Sequence, residues 1–168
     1  MGPFPYDSAD ALLAARPAVP LYAVLDRVQD PFNFGAILRS AEVFGVDAVF
    51  IGRDEQAPVT SAVARSSAGA VNHIPIAVAE ELCVLLAQLQ RAGIVCIATA
   101  PEAGTELPVC DLTRPTAFVV GNEGSGVAAA LLGGCDARVR IPQHGRVGSL
   151  NAAVAASIVF YEARRQRR

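Results

Sequence analysis

Short apolar runs rich in Val and Ile alternate along this chain with longer stretches of helical periodicity. Leu21-Tyr22-Ala23-Val24-Leu25 reads as a buried strand, stopped by Asp26 and Pro31. Ile37, Leu38, Ala41 and Phe44 recur at helical spacing, which predicts a helix over residues 34–44 ended by Gly45. Ala48-Val49-Phe50-Ile51 is the next strand, closed by Gly52. Leu82, Leu85, Leu86 and Leu89 mark a second helix over 80–91, stopping at Gly93 before a strand at 94–98. A strand at 117–120 runs into Gly121, a short strand at 138–141 ends at Pro142, and a last helix covers 150–164. Continuous rather than alternating apolar runs belong to strands covered on both faces. Strands that alternate with helices build a mostly parallel sheet with helices on both faces, so the predicted class is α/β. Pro3, Pro5, Pro17 and Pro20 surround a short helical stretch at 8–15, so residues 1–20 read as an N-terminal arm ahead of one domain, 21–168.

At 168 residues the chain holds one ordinary domain. A composition 52% apolar and 18% charged excludes disorder. Mean hydropathy is +0.38, yet the longest apolar stretch, residues 152–161, is about half a bilayer span and contains Ser157. No transmembrane helix is expected. Met1-Gly2-Pro3-Phe4-Pro5 lacks the charged and apolar regions of a secretory signal, so a cytoplasmic protein is the expectation. Cys83, Cys96, Cys110 and Cys135 form no C-x-x-C pair, and only His73 and His144 could join them at a metal. The cysteines read as buried free thiols, and no metal site is expected. All 14 basic residues are Arg and the net charge is −2, which excludes an overall basic signature of nucleic-acid binding. The Arg164-Arg165-Gln166-Arg167-Arg168 end is either a local basic patch or a solvated helix terminus favoured by the helix dipole.

Ligands of parallel sheets sit beyond the carboxyl ends of the strands, so the loops after Leu25, Ala98, Val120 and Ile141 matter most. After Val120 the chain reads Gly121-Asn122-Glu123-Gly124-Ser125-Gly126, directly before a helix start at Val127. Glycines there let backbone approach a ligand and leave N–H groups free for acceptors. The spacing is G-x-x-G-x-G rather than the dinucleotide G-x-G-x-x-G, and a phosphate-binding P-loop would need a lysine that the chain lacks. A tight turn explains one or two of these glycines but not Glu123 held between them. The loop after Ile141 runs through Pro142, Gly145 and Gly148 to Ser149-Leu150-Asn151, where Ser149 is placed to cap the last helix. With no G-x-S-x-G elbow, a serine hydrolase is rejected. In the first loop Asn33 reads as a helix N-cap, and Arg39 follows six residues later, not quite on the same face.

Taken together, these loops resemble the three signature motifs of the SpoU (TrmH) family of RNA ribose 2′-O-methyltransferases, in the SPOUT superfamily. The first is Asn33-Phe34-Gly35-Ala36-Ile37-Leu38-Arg39-Ser40-Ala41, continuing to Phe44-Gly45. The second is Phe118-Val119-Val120-Gly121-Asn122-Glu123-Gly124-Ser125-Gly126. The third is Ile141-Pro142 followed by Ser149-Leu150-Asn151 and an Ala-rich helix, and Ser66-Ser67-Ala68-Gly69-Ala70 fits between the first two.

The resemblance spans residues 21–163. It implies S-adenosylmethionine bound in a deep C-terminal trefoil knot, a homodimer with active sites assembled across the interface, and tRNA or rRNA as substrate. It implies cofactor contacts at Thr99, Ala100, Gly121, Asn122, Gly126, Ile141, Ser149 and Leu150. It carries over Arg39, Asn33, Glu123, Ser149 and Asn151 as catalytic and substrate groups, with Arg39 at the family's catalytic arginine.

Three departures stand out. Many relatives carry an N-terminal RNA-binding domain where this chain has about twenty residues before the first strand. Gln143 stands where Met is common, and a chain without Lys must meet phosphates through clustered Arg. Rival readings are a non-catalytic knotted module that binds RNA or cofactor, a SPOUT enzyme acting on a base, and a nucleotide-binding regulatory domain or oxidoreductase. Intact Arg39, Glu123, Ser149 and Asn151 argue against the first, the Asn33 and Arg39 pair against the second, and the reversed glycine spacing against the third.

Overall fold

A computed structural model describes residues 4–168; Met1, Gly2 and Pro3, where the reading of the N-terminus begins, lie outside the described residues. Seven strands form one sheet: β1 (Leu21–Leu25), β2 (Ala48–Gly52), β3 (Ile76–Ala79), β4 (Val95–Thr99), β5 (Thr105–Glu106), β6 (Thr116–Val120) and β7 (Ala137–Arg140). Their order is β3-β2-β1-β6-β4-β7-β5, and every neighbouring pair is parallel. The helices are α1 (Ala9–Ala14), α2 (Pro31–Val43), α3 (Ser61–Ser66), α4 (Leu82–Arg91), α5 (Ala129–Gly134) and α6 (Ala152–Gln166).

The two-residue period of a strand splits the core into two layers. Leu21, Ala23 and Leu25 of β1 join Phe34, Ile37, Leu38, Val159 and Phe160 of α2 and α6 on one face. Tyr22 and Val24 point the other way, to Leu85, Leu86 and Leu89 of α4 and Leu131 of α5. β1 and β6 are buried on both faces, in keeping with apolar residues at nearly every position. Fully burying one such Leu or Phe contributes about 1.5–3 kcal/mol. The chain steps outward from β1 to β2 and β3, then builds the other half of the sheet, and β6 fills the gap between β1 and β4. The carboxyl ends of β1, β6 and β4 therefore surround the crevice where a parallel sheet receives ligands.

Two helices are capped by residues other than those the sequence reading gave. α2 begins at Pro31, whose missing N–H costs nothing in the first turn. Asp30 caps it by accepting from the Phe32 N–H at 2.9 Å, so Asn33 lies inside the helix with its side chain free for other partners. α6 is capped by Asn151, whose Oδ1 accepts from the N–H groups of Ala153 (2.8 Å) and Val154 (3.2 Å), and not by Ser149.

Residues 4–20 lie along the sheet. The Asp7 N–H donates to the Ile76 carbonyl at 2.8 Å, the Val59 N–H donates to the Tyr6 hydroxyl at 2.9 Å, and Leu12 and Leu13 pack on the second layer. The arginine-rich end is mostly engaged in structure. Arg165 pairs with Glu162 at 2.7 Å, and Arg167 donates to the carbonyls of Leu112 (2.8 Å) and Arg114 (2.7 Å). The cysteines are free, and Cys96 is buried, but Cys83 is exposed, which corrects the expectation of four buried thiols. Burial pushes the Cys96 thiol up to about 12.

Candidate active site

The loops after β1 and β6 are stapled together by Asp26 and Arg27. Asp26 is buried and paired with Arg27 at 2.9 Å, and its other oxygen accepts from the Ala128 N–H at 2.7 Å. Arg27 reaches the Gly126 carbonyl at 3.2 Å, and the Arg27 carbonyl accepts from Asn122 Nδ2 at 2.8 Å. The hydrogen bond to Asp26 raises the Arg27 pKa above its ordinary value. Asn122 turns its Oδ1 inward to the N–H groups of Gly124 (2.9 Å) and Ser125 (3.0 Å), an Asx turn that shapes the glycine loop. Gly121 has no substitute in this arrangement: a Cβ there would lie 2.2 Å from the Gly126 carbonyl carbon and the Val127 nitrogen. A second close approach sets α2 on α3, where a Cβ at Gly35 would lie 1.8 Å from Ser66 Oγ.

Asn33 is the junction of the three motifs. Its Nδ2 donates to Glu123 Oε1 at 3.2 Å, and its Oδ1 accepts from Asn151 Nδ2 at 2.9 Å. Glu123 also accepts from the Asp30 N–H at 3.4 Å. Three motifs remote in sequence thus meet through one side-chain chain, Glu123–Asn33–Asn151.

Beside it opens a cavity of about 340 Å³ at the carboxyl ends of β4, β6 and β7. Thr99, Ala100, Gly121, Asn122, Gly126, Ile141, Ser149 and Leu150, the eight positions tied by resemblance to the cofactor, all line it, as does Glu123. Asn33, Asn151 and Arg39 are not among its lining residues. Arg39 stands exposed on α2, and no salt bridge engages it or Glu123 among the described residues. The sequence reading missed Glu102, Arg140 and Gln143, which also line the cavity, and the Asp26–Arg27 staple. Arg140, which pairs with Glu106 at 2.6 Å, ends β7, and Asp26 directly follows β1. Proximity to a strand's carboxyl end was the signal available for each. Among the described residues no group of three or more His, Cys, Asp and Glu could hold a metal, and no helix is long and apolar enough to cross a membrane.

An all-parallel α/β sheet with its cavity at these strand ends makes the chain a ligand-binding α/β domain. The SpoU methyltransferase AviRb from Streptomyces viridochromogenes superposes with a TM-score of 0.89 at 31% identity, over 97% of this chain and 65% of that one. AviRb in complex with the cofactor AdoMet gives 0.88 at 32% identity, over 97% and 63%. The chain belongs to the SpoU rRNA Methylase family, whose family model matches residues 20–161. It is 42% identical over 158 residues to the 23S rRNA (guanosine-2'-O-)-methyltransferase RlmB of Pseudomonas syringae pv. tomato, across 94% of this chain and 63% of that relative's length.

Proposed function

We propose that this chain is an S-adenosylmethionine-dependent RNA methyltransferase acting on a ribose 2′-hydroxyl of rRNA or tRNA. The observation that carries the reading is the Glu123–Asn33–Asn151 chain beside the cavity of Gly121, Ile141 and Leu150. It is supported by the relative named for guanosine 2′-O-methylation of 23S rRNA and by the AdoMet complex of AviRb.

The cavity suits such a donor. At about 340 Å³ it falls in the range of small-molecule sites. Val120, Val139, Ile141 and Leu150 offer apolar contact, and the bare backbone at Gly121 lets a ligand lie close. Thr99, Ala100, Asn122, Gly126 and Ser149 complete the donor site. A bound sulfonium donor would supply an electrophilic methyl group for the ribose oxygen, the sulfur keeping the electron pair of the broken C–S bond and the hydroxyl proton leaving to solvent.

Most of the acceleration in such a displacement comes from orientation. Glu123 accepts the hydrogen bond of the 2′-hydroxyl, and Asn33, Asn151 and Ser149 hold the ribose. A guanidinium, with a pKa of about 12.5 or higher, is a poor proton acceptor. Arg39 instead clamps the neighbouring phosphate and stabilises negative charge developing on the oxygen.

We assign the segment from β7 through α6 to a trefoil knot. β7 inserts between β4 and β5, and α6 then returns to pack on α2, with Ser40 and Ser157 hydroxyls 2.6 Å apart. The working form is a homodimer in the cytoplasm, with residues 21–168 as the catalytic domain and 1–20 as an arm. Exposed Val147, Leu150 and Val154 around the start of α6 support a covering partner copy. Incubation with labelled methyl donor and separate rRNA and tRNA pools tests the reaction. Label should survive alkaline hydrolysis within a dinucleotide, because a methylated 2′-oxygen cannot attack the adjacent phosphate; label released on single nucleotides would mean base methylation and overturn the proposal.

A further inference from the structure

Phe32 is 67% exposed, although it is a large aromatic in the first turn of α2 next to Asn33. Residues 32, 36, 39 and 43 share one helix face. Along that face Phe32 and Arg39 stand about 10 Å apart, with only Ala36 between them. Both are unengaged among the described residues: Phe32 joins none of the aromatic pairs and Arg39 none of the salt bridges. The other exposed aromatic nearby, Tyr161, packs edge-on against Phe44 at 5.8 Å. An open ring and an open guanidinium at this spacing complement a base and a nearby phosphate of a single strand. RNA-binding proteins take unpaired bases on aromatic faces in this way, and such stacking tolerates any base.

We propose that Phe32 is a stacking platform for an unpaired base at or beside the acceptor nucleotide, with Arg39 on the adjoining phosphate. This rests on the RNA methyl-transfer reading above and assigns to that site a base-binding residue. The backbone N–H of Phe32 serves the Asp30 cap whatever side chain is present, so substitutions at this exposed position leave α2 intact.

The test uses F32A, F32L and F32W with unmodified 23S rRNA transcript and, in parallel, unmodified tRNA. F32A and F32L should raise the KM for RNA by roughly tenfold to a hundredfold, while donor affinity by calorimetry and oligomeric state by sedimentation stay as in the parent protein. F32W should restore tight RNA binding. Because the chain has no tryptophan of its own, its fluorescence should also be quenched on adding RNA. F32L matching the parent protein, or F32W without quenching, overturns the proposal. A change in oligomeric state in F32A overturns it too, by making a second copy the occupant of this face. Parent protein that transfers no methyl group to either RNA overturns the proposed function itself, which distinguishes the two failures.

Discussion

Asn151 and Asn33, 118 residues apart, are joined by a 2.9 Å side-chain hydrogen bond while the other end of the Asn151 amide caps α6. One side chain thus sets the start of the last helix and closes the link to Glu123. N151A should lose about 1 kcal/mol of stability through the missing cap and should lose methyl transfer. N151D should recover the cap, since a carboxylate accepts both N–H groups, but it cannot donate to Asn33 Oδ1 and it adds charge near Glu123. Urea denaturation alongside transfer assays should therefore show stability restored and activity not. Restoration of both would mean that the asparagine pair has no part in the chemistry.

Gly121 tests the donor cavity separately. The Cβ of G121A collides with backbone on the far side of the loop, where no side chain can rotate away. The expected cost is about 1–3 kcal/mol of stability from overpacking, with loss of measurable donor binding in calorimetry. Donor affinity equal to that of the parent protein would place the donor elsewhere.

The sheet was largely legible, because the continuous apolar runs of β1, β2, β4 and β6 admit few alternatives. β3 escaped notice because Ile76–Ala79 is four residues, half of them alanine, and lacks the β-branched weight of the other runs. α3, six residues, is too short for helical periodicity to declare itself, and β5 has two residues, whereas α5 was expected from Val127 and begins at Ala129. The cap errors have a common cause. Asp30 and Asn33 are both good caps, as are Ser149 and Asn151. Pro31 was the deciding signal for α2, since proline favours the first turn. No local pattern announces that Asn33, Glu123 and Asn151 meet. That convergence depends on β6 lying beside β1 and α6 returning to α2, so at the level of sequence it came only from resemblance.

Acid should expose one contribution of the α6 terminus. The hydrogen bond from Arg165, followed by that from Gln166, holds the Glu162 carboxyl below its ordinary value. A depressed folded pKa adds stability that is present above the unfolded value of about 4.3 and is lost as pH falls through the folded one. The urea midpoint of the parent protein should therefore fall between pH 6 and pH 3 more steeply than that of E162Q. Parallel pH profiles would show that the pair adds nothing, the half-exposed Arg165 leaving it screened by solvent.

Arg39 should matter to turnover rather than to folding, because its side chain is exposed and unpaired among the described residues. R39A should lower kcat by about 10²–10³, the usual effect of removing one stabiliser of transition-state charge. R39K should recover part of that loss if charge is the essential property. A lysine variant no better than alanine would assign the role to the two-pronged geometry of the guanidinium.

The dimeric arrangement makes a prediction that no single variant can reach. If Arg39 of one protomer serves donor held by its partner, R39A and G121A carry complementary defects. A mixed dimer then contains one intact site, built from the donor pocket of the R39A protomer and the arginine of the G121A protomer, while its second site lacks both. Random exchange makes half of the dimers mixed, so an equimolar mixture should reach roughly a quarter of the parent rate, although R39A alone keeps about 1% of it or less and G121A alone binds no measurable donor. Dilution below the dimer dissociation constant should abolish the recovered activity. If arginine and donor act within one protomer, mixing restores nothing, and the shared-site assembly fails even if the protein proves to be dimeric.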